Sequence, residues 1–176
     1  MITRLNQRLQ QVQKNTWERQ RVIAGFLRVI AKSNKSLFII YVIIAVFCSA
    51  VFFTSSHFKG LADILSASAL TPWGIATSVF VHGGGISHLT GNLLGLLVWF
   101  TIFAATNNNL EYSNKRISTR FFVAIIFLAG FVSNLLWIII MPQSYTSGLS
   151  GVVYASEGVI LTLSLSNTLT LPKMSR

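Results

Sequence analysis

Long apolar runs separated by short polar segments are the feature that most limits how this chain can fold. Each of the four runs is about as long as a helix needs to cross a hydrocarbon core of roughly 30 Å. They predict membrane-spanning helices at 37–55, 86–105, 120–141 and 149–167. The 176 residues are 52% apolar and 10% charged, whereas an ordinary soluble domain carries about 25% charged residues. We therefore predict an all-α membrane protein, a polytopic helix bundle in contact with the lipid bilayer.

The positions of the basic residues predict an orientation for these helices. The chain carries 14 Lys and Arg residues against 4 Asp and Glu residues. Most of the cations precede the first span, adjoin the start of the third or follow the fourth, and only Lys59 falls in a segment predicted to be external. Because positively charged loops stay on the cytoplasmic side, this pattern predicts a multi-pass protein of the cell membrane with a cytoplasmic N-terminus. The same placement argues against a nucleic-acid partner, which the net charge of +10 would otherwise suggest.

Three segments follow from this topology. Residues 1–36 are predicted to be a basic cytoplasmic segment, residues 37–168 the transmembrane domain and residues 169–176 a short cytoplasmic tail. Apolar residues recur at a helical spacing within the first segment, at Ile2, Leu5, Leu9 and Val12. This spacing fits an amphipathic helix on the anionic inner leaflet, and the alternative is a solvated tail that only sets the topology.

A histidine and an asparagine stand in the second apolar run, where polar groups are costly and are therefore functional candidates. His88 and Asn92 are four residues apart, so they share one face of a helix. We expect both in the outer third of the membrane. The plainer alternative is an interfacial histidine and an asparagine that hydrogen-bonds to a neighbouring helix.

A serine between glycines begins the fourth run. If a helix starts near Ser150, free backbone N–H groups and the helix dipole lie beside its hydroxyl, where they can stabilise a developing oxyanion. Gly148 and Gly151 remove side chains around the serine, so a peptide backbone could approach it. Tyr154 shares a face with Ser150. The alternative is that Ser150 is an N-cap and the glycines are packing residues. Glu157, an acid within a span, predicts either a polar pocket or a hydrogen bond between helices.

Metal and cofactor motifs are missing from the sequence. Cys48 is the single cysteine, which excludes a disulfide framework and any CxxC metal site. No HExxH pattern occurs either. We therefore predict neither a resident metal nor a cofactor.

Four segments, with Gly158 in register, together resemble the rhomboid family of intramembrane serine proteases: 71–73, 80–82, 88–92 and 148–155. The resemblance implies a rhomboid-like bundle, with four of the family's usual six transmembrane helices in this sequence. It also implies a serine endopeptidase that cleaves transmembrane protein substrates, which enter from the side. The segment 54–87 resembles the family's first external loop.

The resemblance also implies a role for each candidate residue. Ser150 would be the nucleophile, and His88 and Asn92 would line the oxyanion hole with the Ser150 N–H. Tyr154 would pack against the general-base histidine. His82 resembles an upstream histidine of the family, but it lies six residues before His88, where the family more often has five.

One element of the family pattern does not occur in the sequence. The family's base is a histidine on the sixth helix, whereas His57, His82 and His88 all precede Ser150. Three readings follow: a fragment of an ordinary rhomboid protease, a natural short form, or half of a complementing pair. A short form would be a catalytically inactive protein, a pseudoprotease that binds transmembrane helices of partners. Transport is less favoured. Transporters carry polar residues at the bilayer midplane on several helices, whereas the polar residues of this chain gather near the outer surface.

Overall fold

The computed structural model of the chain describes residues 2–58, 60–109 and 117–169. Within these residues the secondary structure is helical, apart from two isolated bridges that pair Ala67 with Thr146 and Ser68 with Thr71. Seven α-helices form there: α1 (Ile2–Ser33), α2 (Lys35–His57), α3 (Leu61–Leu65), α4 (Gly74–Thr77), α5 (Gly85–Asn109), α6 (Thr119–Ile140) and α7 (Ser150–Leu169). A 3₁₀ turn, Ser78–Phe80, follows α4. The predicted all-α fold is confirmed.

Three of the helices are long and apolar enough to cross a membrane: Lys35–His57, Gly85–Asn107 and Thr119–Ile140. They correspond to the first three predicted spans, with ends that differ by a few residues. The fourth predicted span is α7, whose apolar part, Ser150–Leu165, is shorter than the other three.

Side-chain hydrogen bonds join three helix ends at one end of the bundle. Asn34 caps α2 by accepting from the Leu37 N–H at 3.0 Å, and its amide donates to Thr119 Oγ1 at 2.7 Å. Asn107, near the end of α5, both donates to the Ile117 carbonyl and accepts from the Ile117 N–H, each at 2.9 Å. The start of α2, the end of α5 and the start of α6 therefore meet at the end of the bundle opposite Ser150.

The first helix packs against the bundle through its C-terminal half. Ile30 is fully buried, and Ile23 and Phe26 pack against the core. A groove with a volume of about 560 Å³ runs between this part of α1 and the middle of α5. The predicted apolar stripe of α1 at residues 2, 5, 9 and 12 lies outside the side chains that the structure describes.

Helix α7 packs against α5 on one side and against α6 on the other. A Cβ atom at Gly151 would lie 3.4 Å from the Cα atom of Gly130, so the backbones of α7 and α6 are in close contact. On the other side, a Cβ at Gly95 of α5 would come within 3.1 Å of Val153 Cγ1. Towards the other end of the bundle, Phe103 of α5 stacks on Phe122 of α6 with 3.8 Å between ring centroids. This packing fixes the position of the first residue of α7, Ser150.

Candidate active site

The site is built around the first turn of α7. Ser150 is the first residue of the helix and is half-buried. The N–H groups of Val152 and Val153 both donate to the Leu149 carbonyl at 3.0 Å. The N–H groups of Ser150 and Gly151 come before these two in the helix. The first N–H groups of a helix have no partner within it, so these two donors are not used by α7 itself. The hydroxyl and two backbone donors are thus located at one helix N-terminus.

Gly148 has a left-handed backbone, with φ at +119°. A residue with a side chain rarely adopts this conformation. The Gly148 N–H donates to the Ser78 carbonyl at 2.8 Å, which ties the loop before α7 to the 3₁₀ turn. The sequence suggests that this glycine lets a peptide backbone approach Ser150. The positive φ is a second reason for a glycine here, and the spacing of residues does not reveal it.

Three candidate side chains converge on the space beside Gly148. A Cβ atom built there would lie 3.1 Å from His88 Nε2, 3.8 Å from Asn92 Nδ2 and 3.8 Å from Ser150 Oγ. The histidine and the asparagine come from α5 and the serine from α7, which are packed together through Gly95. The structure therefore brings Ser150, His88 and Asn92 into one place.

On α5, His88 and Asn92 are one turn apart and contact each other. The Asn92 side-chain nitrogen lies 3.2 Å from His88 Nε2, a hydrogen bond in which the amide donates. Asn92 is buried, whereas His88 is exposed. The imidazole is thus the member of the pair that an incoming molecule would meet first.

His82 lies behind His88 and is only 4% exposed. The two ring centroids are 5.8 Å apart. His82 Nδ1 lies 3.3 Å from the Phe80 carbonyl, whereas its Nε2 is buried and has no hydrogen-bond partner among the described residues. Burial lowers the pKa of His82 below its ordinary value; the hydrogen bond to Phe80 opposes this shift and the positive charge of a protonated His88 adds to it. The ring is therefore held neutral.

Tyr154 and Gly151 take different positions on α7. Gly151 faces α6, where its missing side chain allows the contact with Gly130. Tyr154 is 71% exposed, and one turn further a Cβ at Gly158 would meet nothing within 4 Å. The described residues thus leave this face of α7 uncovered. Glu157, beside it, is half-buried.

Loop contacts that the sequence analysis did not identify hold the site together. Asn134, on α6, donates to Ser78 Oγ at 2.8 Å and to the Ile75 carbonyl at 3.2 Å. The backbones of Ala67 and Thr146 exchange two hydrogen bonds, at 3.0 and 2.9 Å. The segment before α5 is thereby attached both to α6 and to the loop that carries Gly148. A polar asparagine in an apolar run was the available signal for Asn134.

Comparison with known proteins gives one match. The family model described as Rhomboid domain matches residues 69–175, a stretch that includes every candidate site residue. No curated protein and no solved structure matches the chain. Since the matched stretch is more than half of the sequence, the chain belongs to the rhomboid family.

Proposed function

We propose that this protein is an intramembrane serine endopeptidase that cleaves transmembrane protein substrates, with Ser150 as the nucleophile. The convergence of the Ser150 hydroxyl, the His88 ring and the Asn92 amide on the space beside Gly148 carries this proposal. A hydroxyl beside several hydrogen-bond donors at a helix N-terminus is the arrangement that acyl transfer needs. Membership of the rhomboid family supports the same reaction class.

In the proposed reaction, the Ser150 oxygen attacks the carbonyl carbon of the scissile peptide while its proton passes to a base. The base returns this proton to the leaving nitrogen as the C–N bond breaks, and water then hydrolyses the acyl-enzyme. The negative charge that develops on the carbonyl oxygen would be stabilised by the Ser150 N–H, the Asn92 amide and an N–H of the His88 ring. The Asn92 amide donates one of its two N–H groups to His88 in the structure, which leaves the second for the oxyanion. His82, Tyr154, Gly148 and Gly151 would support this arrangement without touching the reacting atoms.

The serine also needs a base that removes its proton, because a free hydroxyl is a weak nucleophile. No imidazole or carboxylate is hydrogen-bonded to Ser150 among the described residues. All three histidines of the sequence lie among these residues. We propose that the base is a histidine supplied from outside this sequence, on a helix that packs against α7. The uncovered face at Tyr154 and Gly158 supports a docking position for such a helix.

The second candidate function is a catalytically inactive rhomboid-like protein that binds transmembrane helices of partners. Two observations favour it: the serine lacks a base among the described residues, and Gly158 on the same open face of α7 leaves room for a partner helix. Small residues let transmembrane helices approach closely.

We propose the topology that the charge pattern predicts: a multi-pass protein of the cell membrane, with the N-terminus and tail 169–176 in the cytoplasm and domain 37–168 in the bilayer. The joining of the α2, α5 and α6 ends opposite Ser150 supports this arrangement. Cysteines introduced at positions 14 and 145 in a Cys48→Ser background would test it. Only the cysteine at position 145 should react with an impermeant maleimide in intact cells.

A cleavage assay separates the two functions. Native membranes that contain the chain would be tested on a panel of labelled transmembrane peptides, so that the helix proposed to carry the base is present in the assay. Ser150→Ala should abolish cleavage, whereas the matched variant Ser147→Ala, three residues earlier, should retain it. Cleavage that survives in Ser150→Ala contradicts the nucleophile assignment. Binding of the peptides without cleavage by either protein would favour the pseudoprotease.

A further inference from the structure

The nitrogen of His82 that faces away from Phe80 is the one buried side-chain polar atom left without a partner in the described residues. A buried acceptor of this kind is costly unless it finds a donor, a water molecule or a cation. The His88 ring is its titratable neighbour, with 5.8 Å between ring centroids. The proposed hydrolysis makes no direct use of His82 Nε2.

Hydrogen bonding fixes which His82 nitrogen is available. The Phe80 carbonyl can only accept, so Nδ1 carries the proton and Nε2 keeps its lone pair. A backbone carbonyl on the other ring nitrogen is the usual partner of a metal-binding histidine, because it sets the tautomer and the ring orientation. In His82, the Phe80 carbonyl already orients the ring as it would in a metal-binding histidine.

The separation of the rings also suits a shared ion. Two imidazoles on one Zn²⁺ ion, with Zn–N distances of about 2.0–2.1 Å, have ring centroids roughly 5–6 Å apart. The distance of 5.8 Å in this structure falls within this range. His88 is exposed, so an ion could reach the pair from solvent, and at His88 Nε2 it would replace the hydrogen bond from Asn92. We propose that His82 and His88 form a binding site for a divalent transition-metal ion of the Zn²⁺ or Cu²⁺ class.

The donor set selects the class of ion. Imidazole nitrogen suits zinc and copper, whereas magnesium and calcium require oxygen ligands. Within the described part of the chain, no group of three or more His, Cys, Asp or Glu side chains could hold a metal. Two protein ligands leave the remaining positions to water, so the ion binds reversibly and is not a resident cofactor. A metal on His88 also withdraws this ring from an oxyanion, so bound metal would oppose the proposed proteolysis.

Metal binding is measurable without any assay of proteolysis. The full chain, purified in detergent through an affinity tag without histidines and stripped of metal, would be titrated with Zn²⁺ by calorimetry. One ion should bind per chain. His82→Gln and His88→Gln should each weaken binding by roughly 10- to 100-fold or more, since each removes one of two ligands. The matched control is His57→Gln, because His57 is exposed at the end of α2 and its Nδ1 contacts its own helix at the Phe53 carbonyl.

A second measurement uses the unmodified protein and so does not depend on the folding of a variant. Diethyl pyrocarbonate carbethoxylates accessible imidazoles, and peptide mass spectrometry reports the extent at each histidine. Zn²⁺ should protect His88 and leave His57 reactive. Unchanged affinity in His82→Gln, or equal modification of His88 with and without Zn²⁺, would overturn the proposal. Loss of binding in His57→Gln alone would overturn it as well, because the ion would then sit elsewhere.

Discussion

Asn92 and His88 are hydrogen-bonded to each other across one turn of α5, with 3.2 Å between Asn92 Nδ2 and His88 Nε2. In the proposed reaction both groups donate to an oxyanion. The Asn92 amide has two N–H groups, so one can stay on His88 while the other turns to the developing charge. Hydrogen bonds to charged groups are stronger than those between neutral ones. The bond that Asn92 adds to the oxyanion consequently favours the transition state over the bound substrate.

Removal of the Asn92 amide should affect turnover more than substrate binding. We expect Asn92→Ala to lower kcat by about 10²–10³-fold with little change in KM, the usual loss for one oxyanion donor. The matched control is Thr90→Ala on the same helix, since Thr90 is exposed and its hydroxyl donates only to the Ile86 carbonyl. A rise in KM at constant kcat would contradict the oxyanion role.

Gly148 should tolerate no side chain, because its φ is positive and because a Cβ atom there would crowd His88. Gly60 shares only the first property, so it separates the two effects. Gly148 and Gly60 both have positive φ, +119° and +85°, so alanine is strained by about 1–2 kcal/mol at either position. Only at position 148 does the added Cβ also crowd His88, at 3.1 Å; at position 60 it meets nothing within 4 Å. We expect Gly60→Ala to cost stability alone, whereas Gly148→Ala also abolishes cleavage. Denaturation in SDS and the cleavage assay measure the two effects; equal behaviour of the variants would contradict the crowding argument.

The two glycines of α5 should differ in importance although they are spaced as a GxxxG motif. A Cβ at Gly95 would lie 3.1 Å from Val153 Cγ1, whereas a Cβ at Gly91 meets nothing within 4 Å. Gly95→Leu should therefore separate α5 from α7 and destabilise the fold by about 1–3 kcal/mol, as overpacking does. Gly91→Leu should leave stability within about 0.5 kcal/mol of the parent. Unfolding in SDS followed by circular dichroism would show the difference, and the reverse order would disprove this packing.

Asn134 should stabilise the loop before α5. Its amide donates to Ser78 Oγ and to the Ile75 carbonyl, so Asn134→Ala leaves two acceptors without this donor. We expect a loss of about 0.6–1.7 kcal/mol, the range measured for hydrogen bonds within membrane proteins. Thr162→Ala is the control, because that exposed hydroxyl donates only to the Gly158 carbonyl of its own helix. Faster proteolytic nicking of residues 58–84 in Asn134→Ala alone would report loosening of this loop.

Acid should destabilise the fold through His82. Burial lowers the pKa of His82 in the folded chain, so below the ordinary value of about 6.5 the unfolded chain binds more protons. The stability that His82 contributes is therefore full above that value and is lost as the pH falls towards the folded-state pKa. His88 is the titratable group next to it. With EDTA present, the loss between about pH 7.5 and about pH 5.5 should be smaller in His82→Gln than in the parent. An equal loss in both proteins would contradict this assignment.

The sequence predicted those features that depend on local spacing. His88 and Asn92 lie on one face because residues four apart are neighbours on any helix, and Ser150 begins a helix at the point where the apolar run starts. Long apolar runs likewise predicted the first three spanning helices to within a few residues.

Contacts between distant segments could not be read from spacing. The bond from Asn134 to Ser78 joins positions 56 residues apart, and nothing in either local pattern names the other partner. The apolar residues at 23, 26, 27 and 30 recur at a helical spacing, which indicates an apolar face of α1 but not the part of the bundle on which it packs. The burial of His82 against His88 depends in the same way on how the loop before α5 folds back.

The hydrogen bonds that tie Ser78 to Gly148 and Ala67 to Thr146 also have a consequence for biosynthesis. The earlier partner of each pair leaves the ribosome long before the later one, and such non-local pairings form slowly. A nascent chain inserted only as far as α6 already contains His88 and Asn92 but not Ser150. The three side chains of the proposed site therefore come together only when α7 has packed against α5 and α6.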